Sequence, residues 1–393
     1  MLILFFVTLA LWAAGFALLP RLRPCDDGDG LATTPSLRSP DPYREDDEPN
    51  GSRAECPDHR WRGHSARRHS SAGLGGFPPD SESLTLVIPA RDEEHNLPTL
   101  LNSVAGQSVR PMEIIVVDDG STDRTAAIAA GLGATVLASQ PLPAGWRGKT
   151  WACHQGAQAA TGELLCFVDA DTCFEVGGLA RVLACYQGGA FSVGPWHAVR
   201  RPYENLSLFF NLNMVVGTVP DRLFGQLLLV DRESYQQVGG HAAVRGRILE
   251  NFRLAQQFSA AGVRVRSVAG KGVISFRMYP GGLGELVAGW VKGFASGAGQ
   301  TPRATLCLMV AWMSALITVP FAGLMGGEPL AFGLLYGLCA AQVAWFGSRV
   351  GAFRWYAALL YPVPLGFFFV VFALSSLRAG KRVTWKGREI HAD

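Results

Sequence analysis

The sequence predicts an α/β domain with a mostly parallel sheet, set between apolar helices at the two ends of the chain. Three observations predict it. Near-continuous aliphatic runs alternate with helical patterns from residue 84 onward, as sheets covered on both faces require. Three of these runs end in acidic or polar residues, PARDEE, DDGSTD and DAD. Charged residues make up only 17 % of the chain against 49 % apolar, and the deficit is concentrated in a few long segments. Such segments suggest membrane spans.

Residues 1–20 hold MLILFFVTLALWAAGFALL, which has no charged side chain and is long enough to cross a bilayer. No basic residues precede it and no small-residue cleavage site comes after it, so it reads as a retained anchor. Arg21 and Arg23 flank its end and put the rest of the domain-bearing chain in the cytoplasm by the positive-inside tendency. Residues 21–83 are rich in Pro, Gly, Ser and mixed charge, the composition of a disordered linker. Cys56, His59, His64 and His69 fall close together there, but a polar linker with a few histidines explains them more simply than a metal site.

The ordered domain is expected over residues 84–280. LTLVIPA reads as a buried strand, EEHNLPTLLNSVAGQ as a helix, EIIVVDD as a second strand and AAIAAGLG as a second helix. ATVLAS and GELLCFVDAD supply two further strands. Residues 281–303 carry Leu283, Leu286, Val287, Trp290, Val291 and Phe294 at helical spacing. That stripe suits an amphipathic helix at a membrane surface, or one packed on the domain.

Residues 304–377 contain three apolar segments near membrane length, at 304–325, 329–346 and 355–377. Three crossings would leave the basic tail, residues 378–393, on the wrong side of the membrane. The PVP break at 362–364 offers a re-entrant hairpin instead, and both arrangements stay open. The expected location is the plasma membrane, multi-pass, with the domain in the cytoplasm.

The formal charge of +3, without a basic patch interleaved with aromatics, argues against a nucleic-acid partner. The eight cysteines, at positions 25, 56, 153, 166, 173, 185, 307 and 339, include no CxxC pair. Neither a disulfide framework nor a zinc ribbon is expected, and a reducing compartment is the default.

Chemistry concentrates at the strand ends, where ligands bind in such sheets. In LLCFVDADTCFE, Asp169 and Asp171 stand two apart and point the same way, so their carboxylates repel unless a cation lies between them. A solvated turn is the plain alternative. In VVDDGSTDRT, Gly120 permits a tight turn and Ser121 or Thr122 can cap the next helix. A carboxylate there can accept hydrogen bonds from a base or a ribose. No GxGxxG follows either early strand and no GxxxxGK[ST] occurs, so dinucleotide and P-loop readings lose their support. Without a glycine cradle a diphosphate needs a metal, and Mg2+ or Mn2+ takes one or two carboxylates plus phosphate oxygens and water.

In order and spacing over residues 84–270, VIPARDEEHNLPTLL, EIIVVDDGSTDRT and GELLCFVDAD resemble the family 2 glycosyltransferases with a GT-A fold. The DAD is similar to that family's metal-binding DxD signature. Within the family, GWRGKTWACHQG (145–156), FRMYPGGLGELVAGWVKG (276–293) and VTWKGREI (383–390) are similar to membrane-anchored carotenoid glycosyltransferases of the diaponeurosporenoate type. The resemblance implies a hexosyltransferase that takes a nucleotide-sugar donor, a UDP-sugar expected, and a lipid-like acceptor such as a carotenoid or other isoprenoid. It implies Mg2+ or Mn2+ as cofactor.

Carried across, the resemblance puts Pro89, Ala90, Arg91 and Glu93 along the nucleotide, and Asp119 toward the base with Asp118 beside it. It puts Lys149 on nucleotide or phosphate, Asp169 on ribose or donor sugar, and Asp171 with Asp169 on the metal. For Asp118 and Lys149, a turn residue and a solvated lysine are the alternatives.

The family inverts the anomeric carbon, which needs a base for the acceptor proton and a stabilised leaving diphosphate. Family members carry that base as the aspartate of an ED pair opening a helix. Here the matching stretch, VRGRILENFRLAQQFSAAG, reads Glu250-Asn251. Leu249, Phe252, Ala255 and Phe258 form its helical stripe, and Gly262 stands where the helix would stop. Asn cannot accept the proton, so Glu250 is the first candidate, although consecutive helix residues point about 100° apart. Asp231 is the second, with a strand-end turn as its alternative. His241 and Trp290 are candidates for the acceptor side; a structural loop histidine is equally open for His241.

Two other functions compete. A processive polysaccharide synthase carries QxxRW where this chain reads GWVKG. A degenerate nucleotide-sugar-binding scaffold is favoured by Asn251 and opposed by the intact DAD, VDDGSTD and GKTWA.

Overall fold

An apolar segment followed by two arginines must bury or span its length and then stop, and the chain opens in that way. Helix α1 (Leu2–Ala14) tightens into a 3-10 turn over Gly15–Leu22. The computed structural model describes residues 2–25, 83–246, 250–298, 301–325, 328–378, 383–385 and 388–390. The linker expectation, with Cys56, His59, His64 and His69, lies almost wholly outside the described residues.

The first half of the domain alternates as its aliphatic runs demand: β1 (Leu84–Ala90), α2 (Leu97–Ala105), β2 (Glu113–Asp118), α3 (Thr125–Gly131), β3 (Thr135–Ala138), α4 (Gly148–Ala159) and β4 (Leu164–Val168). The short β5 (Thr172–Phe174), α5 (Gly178–Cys185), β6 (Ala190–His197), α6 (Leu208–Thr218), β7 (Leu227–Asp231), α7 (Arg232–Gln237), α8 (Glu250–Ala260) and β8 (Val265–Phe276) complete it. One eight-stranded sheet results, in the order β3-β2-β1-β4-β7-β6-β8-β5. β3, β2, β1 and β4 run parallel, while β7 opposes both β4 and β6, and β5 opposes β8. The α/β class is as the sequence predicts.

Each face of the sheet has its own core. Leu97, Leu101, Leu179 and Val182 of α2 and α5 cover one side, and Ala152, Leu254 and Phe258 of α4 and α8 cover the other. Two local expectations change. Helix α2 starts at Leu97, not at the glutamates, because Glu93 and Glu94 turn their backbone N–H groups onto Thr125 Oγ1 (2.8 Å) and Asp123 (3.1 Å). The buried face of α8 is Leu254, Ala255 and Phe258, with Phe252 half-buried beneath Arg222. Leu249 lies outside the described residues. Gly262, at φ 75°, follows the end of α8 as expected.

A third core joins the domain to apolar helices: α9 (Leu283–Ala298), α10 (Arg303–Leu324), α11 (Pro329–Val350), α12 (Trp355–Leu359) and α13 (Pro362–Arg378). Leu286 and Trp290 of the stripe expected at residues 281–303 are buried in it, whereas Leu283 is exposed. Three stretches are long and apolar enough to cross a membrane, Ile3–Leu22, Arg303–Gly323 and Pro329–Val350; Pro362–Leu377 is shorter.

The last apolar segment breaks at residues 360–361 and forms a hairpin. After α11 the chain is held to the domain, Ala352 N–H donating to the His197 carbonyl (2.8 Å) and Arg354 N–H to Asn205 Oδ1 (2.9 Å). α12 then runs back along α11 until Leu359 accepts from Tyr336 Oη at 2.6 Å. At 1.5 Å per residue, that is roughly 20 Å from the end of α11. α13 returns: Phe368 packs on Phe210 at 5.0 Å and Ser375 Oγ donates to the Val291 carbonyl at 2.6 Å. A small antiparallel pair, β9 (Val383–Trp385) and β10 (Arg388–Ile390), comes last.

The N-terminal helix is fastened to the same body. Arg21 donates to the carbonyls of Val216 (3.4 Å) and Val219 at the end of α6, where a helix leaves carbonyls without partners. Ala269 N–H donates to the Arg23 carbonyl at 3.1 Å, and Leu18 and Leu22 are buried. Cys25 and Cys185 form a disulfide with Cα atoms 6.3 Å apart, which corrects the expectation that the cysteines stay unpaired. Their spacing in the chain gives no sign of it, because the fold alone brings them together.

Candidate active site

The site begins where β1 and β2 end side by side, Ala90 opposite Asp118. The turns after these two strands are knitted together. Asp118 accepts from Ser121 N–H (3.2 Å) and from its hydroxyl, with Gly120 at φ 71° between them. Asp92, at φ 51°, donates its N–H to Ser121 Oγ (3.0 Å) and accepts from Thr122 N–H (2.8 Å). Ser121 and Thr122 therefore bind the neighbouring turn instead of capping α3. Asp118 supports the turn, while Asp119 is nearly buried with Arg91 Nη1 3.7 Å from its carboxylate. Pro89 and Ala90 lead into this pair from β1.

β4 ends beside it. Lys149, in the first turn of α4, places Nζ 2.5 Å from Asp169 Oδ1 and donates to the Gly225 carbonyl at 3.1 Å. Burial opposes the lysine's charge, but the Asp169 and Glu250 carboxylates outweigh it and hold its pKa above the usual range. Asp171 reaches solvent from inside the site, yet desolvation pushes its carboxyl up to about 7, with Asp169 and then Glu93 adding to the rise against Lys149. Glu250, opening α8, is also raised, by burial first, with Lys149 pulling the other way. Asn251 Nδ2 donates to Glu250 Oε1 at 3.2 Å. Arg91, Glu93, Asp119, Lys149, Asp169, Asp171 and Glu250 are thus brought to one edge of the sheet.

Residues 85–205 match the model of Glycosyl transferase family 2. The 4,4'-diaponeurosporenoate glycosyltransferase of Staphylococcus aureus (strain MRSA252) is 33 % identical over 334 residues, covering 78 % of this chain and 88 % of that protein. The chain belongs to glycosyl transferase family 2. It is a glycosyltransferase related to the diaponeurosporenoate enzymes. Among solved structures, the mannosyltransferase PcManGT of Pyrobaculum calidifontis, in complex with GDP-Man and Mn2+, aligns over 95 % of this chain and 98 % of its own. The identity is 17 % and the TM-score 0.48. Glucosyl-3-phosphoglycerate synthase of Mycobacterium tuberculosis, with Mn2+, UDP-glucose and phosphoglyceric acid, aligns over 56 % and 81 % at 22 % identity and a TM-score of 0.38.

In this glycosyltransferase three candidates lie away from the cluster. Asp231 pairs with Leu164 at the start of β4, the opposite edge of the sheet from Asp169. There it caps α7 through Ser234 N–H (2.7 Å) and accepts from Tyr186 Oη (3.2 Å). His241 is buried against Phe167, with Nδ1 2.8 Å from Tyr235 Oη. Burial, helped by Lys149 and His154, pushes its pKa down to about 3, so it stays neutral. Trp290 is buried, stacked on Phe210 at 4.5 Å, and donates to Ser207 Oγ at 3.0 Å.

Two participants have only a weak sequence signal. Gly225 lies so close to the Asn251 amide that a side chain there would displace it, with Lys149 Nζ in van der Waals reach. Tyr279 adopts a left-handed φ of 56°, with its carbonyl accepting from Tyr203 Oη at 2.9 Å. Burial, then Asp171, raises its phenol pKa. A bulky residue in that backbone region is strained, and such strain clusters at ligand sites.

The donor set fits a hard divalent cation. Among the described residues no three His, Cys, Asp or Glu side chains converge tightly enough to hold an ion by themselves. Two carboxylates two residues apart, Asp169 and Asp171, are what Mg2+ or Mn2+ uses when a substrate phosphate completes the shell.

Proposed function

We propose that the chain transfers a sugar from a nucleotide-diphosphate donor, a UDP-sugar, to the hydroxyl or carboxyl of a lipid-like acceptor, a carotenoid or other isoprenoid, with inversion. The observation that carries this is the meeting of Lys149 with Asp169 beside Asp171 and Glu250. Arg91 and Asp119 receive the nucleotide, and Lys149 faces the diphosphate. Asp171 and Asp169 would hold Mg2+ or Mn2+, which when bound would supply positive charge to the departing diphosphate.

Glu250 is the base. As the acceptor oxygen bonds to the anomeric carbon, the bond to the diphosphate breaks and the acceptor proton passes to Glu250. Burial poises that carboxyl nearer neutrality, which suits general base work. Asn251, standing where an aspartate is expected, orients Glu250 through its amide donor. The apolar helices hold the domain at a plasma membrane on the cytoplasmic side, in keeping with Arg21 and Arg23 beside the first of them.

The test is transfer from labelled nucleotide-sugars into membrane lipid extracts with and without Mn2+, read by product mass. Metal-dependent transfer lost in Glu250→Gln and Asp171→Ala is the expected result. Metal-dependent UDP binding without any transfer by the wild type would favour the scaffold reading that Asn251 raises. Transfer surviving Asp171→Ala would remove the metal assignment, and survival of Glu250→Gln would remove the base.

A further inference from the structure

Positive charge gathers at the end of the apolar helices that meets the domain. Arg21 and Arg23 close the first apolar stretch, Arg303 opens α10, and Arg349 lies in the last turn of α11. Between α10 and α11, at the other end of these helices, the sequence of residues 325–329 reads MGGEP, with Glu328 and no lysine or arginine.

On the domain side one patch is especially dense. Arg349 lies 5.6 Å over the ring of Trp345, which is 41 % exposed. Lys271, exposed on β8, donates to the Ser348 carbonyl at 2.8 Å. That bond takes one of the three donors of its ammonium. Arg354 is exposed and adjoins Trp355, which is 74 % exposed. Glu204, the nearby acid, is fully buried and committed to Arg277 at 3.0 Å and to the N–H groups of Arg200 and Arg201. Burial and then Arg349 depress Lys271, so these two cations feel one another.

We propose that Lys271, Arg349 and Arg354, bracketed by Trp345 and Trp355, form a docking surface for the headgroups of anionic phospholipids in the leaflet facing the domain. Exposed tryptophans beside apolar helices sit at headgroup depth, and cations at that depth draw anionic lipid. The proposal rests on the apolar helices lying in a bilayer.

The test uses the full chain in bilayers of phosphatidylcholine mixed with phosphatidylglycerol, and reads the association of spin-labelled forms of each lipid. Phosphatidylglycerol is expected to be preferred, about fivefold less for each cation neutralised in Lys271→Gln, Arg349→Gln and Arg354→Gln. Raising the salt on the wild type should collapse the preference without any substitution. Equal association of the two lipids, or a preference unchanged in the triple variant, would overturn the proposal. Competition by free inorganic phosphate would also overturn it, by assigning a soluble-anion site. Failure of the chain to enter bilayers would instead overturn the membrane reading beneath it.

Discussion

Lys149 and Asp169 meet at 2.5 Å, and the same ammonium reaches the Gly225 carbonyl at 3.1 Å. One cation thus closes the DAD turn onto the loop before β7 and offsets the repulsion between Asp169 and Asp171. Lys149→Met leaves those carboxylates facing each other. Donor affinity is expected to fall about 10–100-fold, the worth of a lost charge-assisted hydrogen bond, and a nucleotide titration reads it. Lys149→Arg should not restore it, since a planar fork does not fit a point-charge site.

Glu250→Gln is expected to lower the transfer rate roughly 10²–10⁴-fold, the usual contribution of a general base. In the wild type the rate should rise with pH as the raised Glu250 carboxyl loses its proton, and that limb should vanish in the variant. Stability has the opposite sign. A carboxyl whose folded pKa exceeds its unfolded value stabilises at low pH, and that contribution is lost as pH rises through the folded value. Paired pH–rate and pH–melting profiles check both.

Asn251→Asp restores the acidic pair that the family carries, yet a gain is not expected. Asn251 donates to Glu250 at 3.2 Å, and an aspartate has no proton to give. Two adjacent carboxylates would push the Glu250 pKa further up. The expected outcome is a slower enzyme at neutral pH whose rising limb moves to higher pH. A faster enzyme with an unmoved profile would show that position 251 carries the base.

Trp290 tests the acceptor side. Buried and stacked on Phe210 at 4.5 Å, it belongs to the joint between α9, α6 and α13. Trp290→Ala should cost about 3–5 kcal/mol of stability, measured by denaturation in detergent. Below the melting temperature the acceptor KM should stay within a few-fold. A large rise in KM with unchanged stability would return Trp290 to the acceptor site.

The parallel half of the sheet and its acidic ends were legible because each is local. An aliphatic run, a glycine and a carboxylate read the same wherever they fold, as Val87, Gly120 and Asp171 illustrate. Asp231 was not legible as a distant residue, because its place depends on the register of β7 against β4. His241 depends on Phe167 of β4, far away in the chain, as well as on its near neighbour Tyr235. The Cys25–Cys185 pair likewise joins distant parts of the chain that only the finished fold brings together. The hairpin after α11 was half legible: the PVP break marks the bend, but the contacts that return α13 to the domain are tertiary.

The fastening of the N-terminal helix changes what residues 26–82 have to do. Arg21, Arg23 and Leu22 already hold that helix against α6 and β8, so the stretch joins two points that stay together without it. It need not serve as a leash. Doubling the length of a flexible connection changes the closure free energy by only about 0.6 kcal/mol, so the number of residues between the two fastened points can drift with little penalty to the fold. A cut anywhere within it would leave two fragments that still purify as one particle.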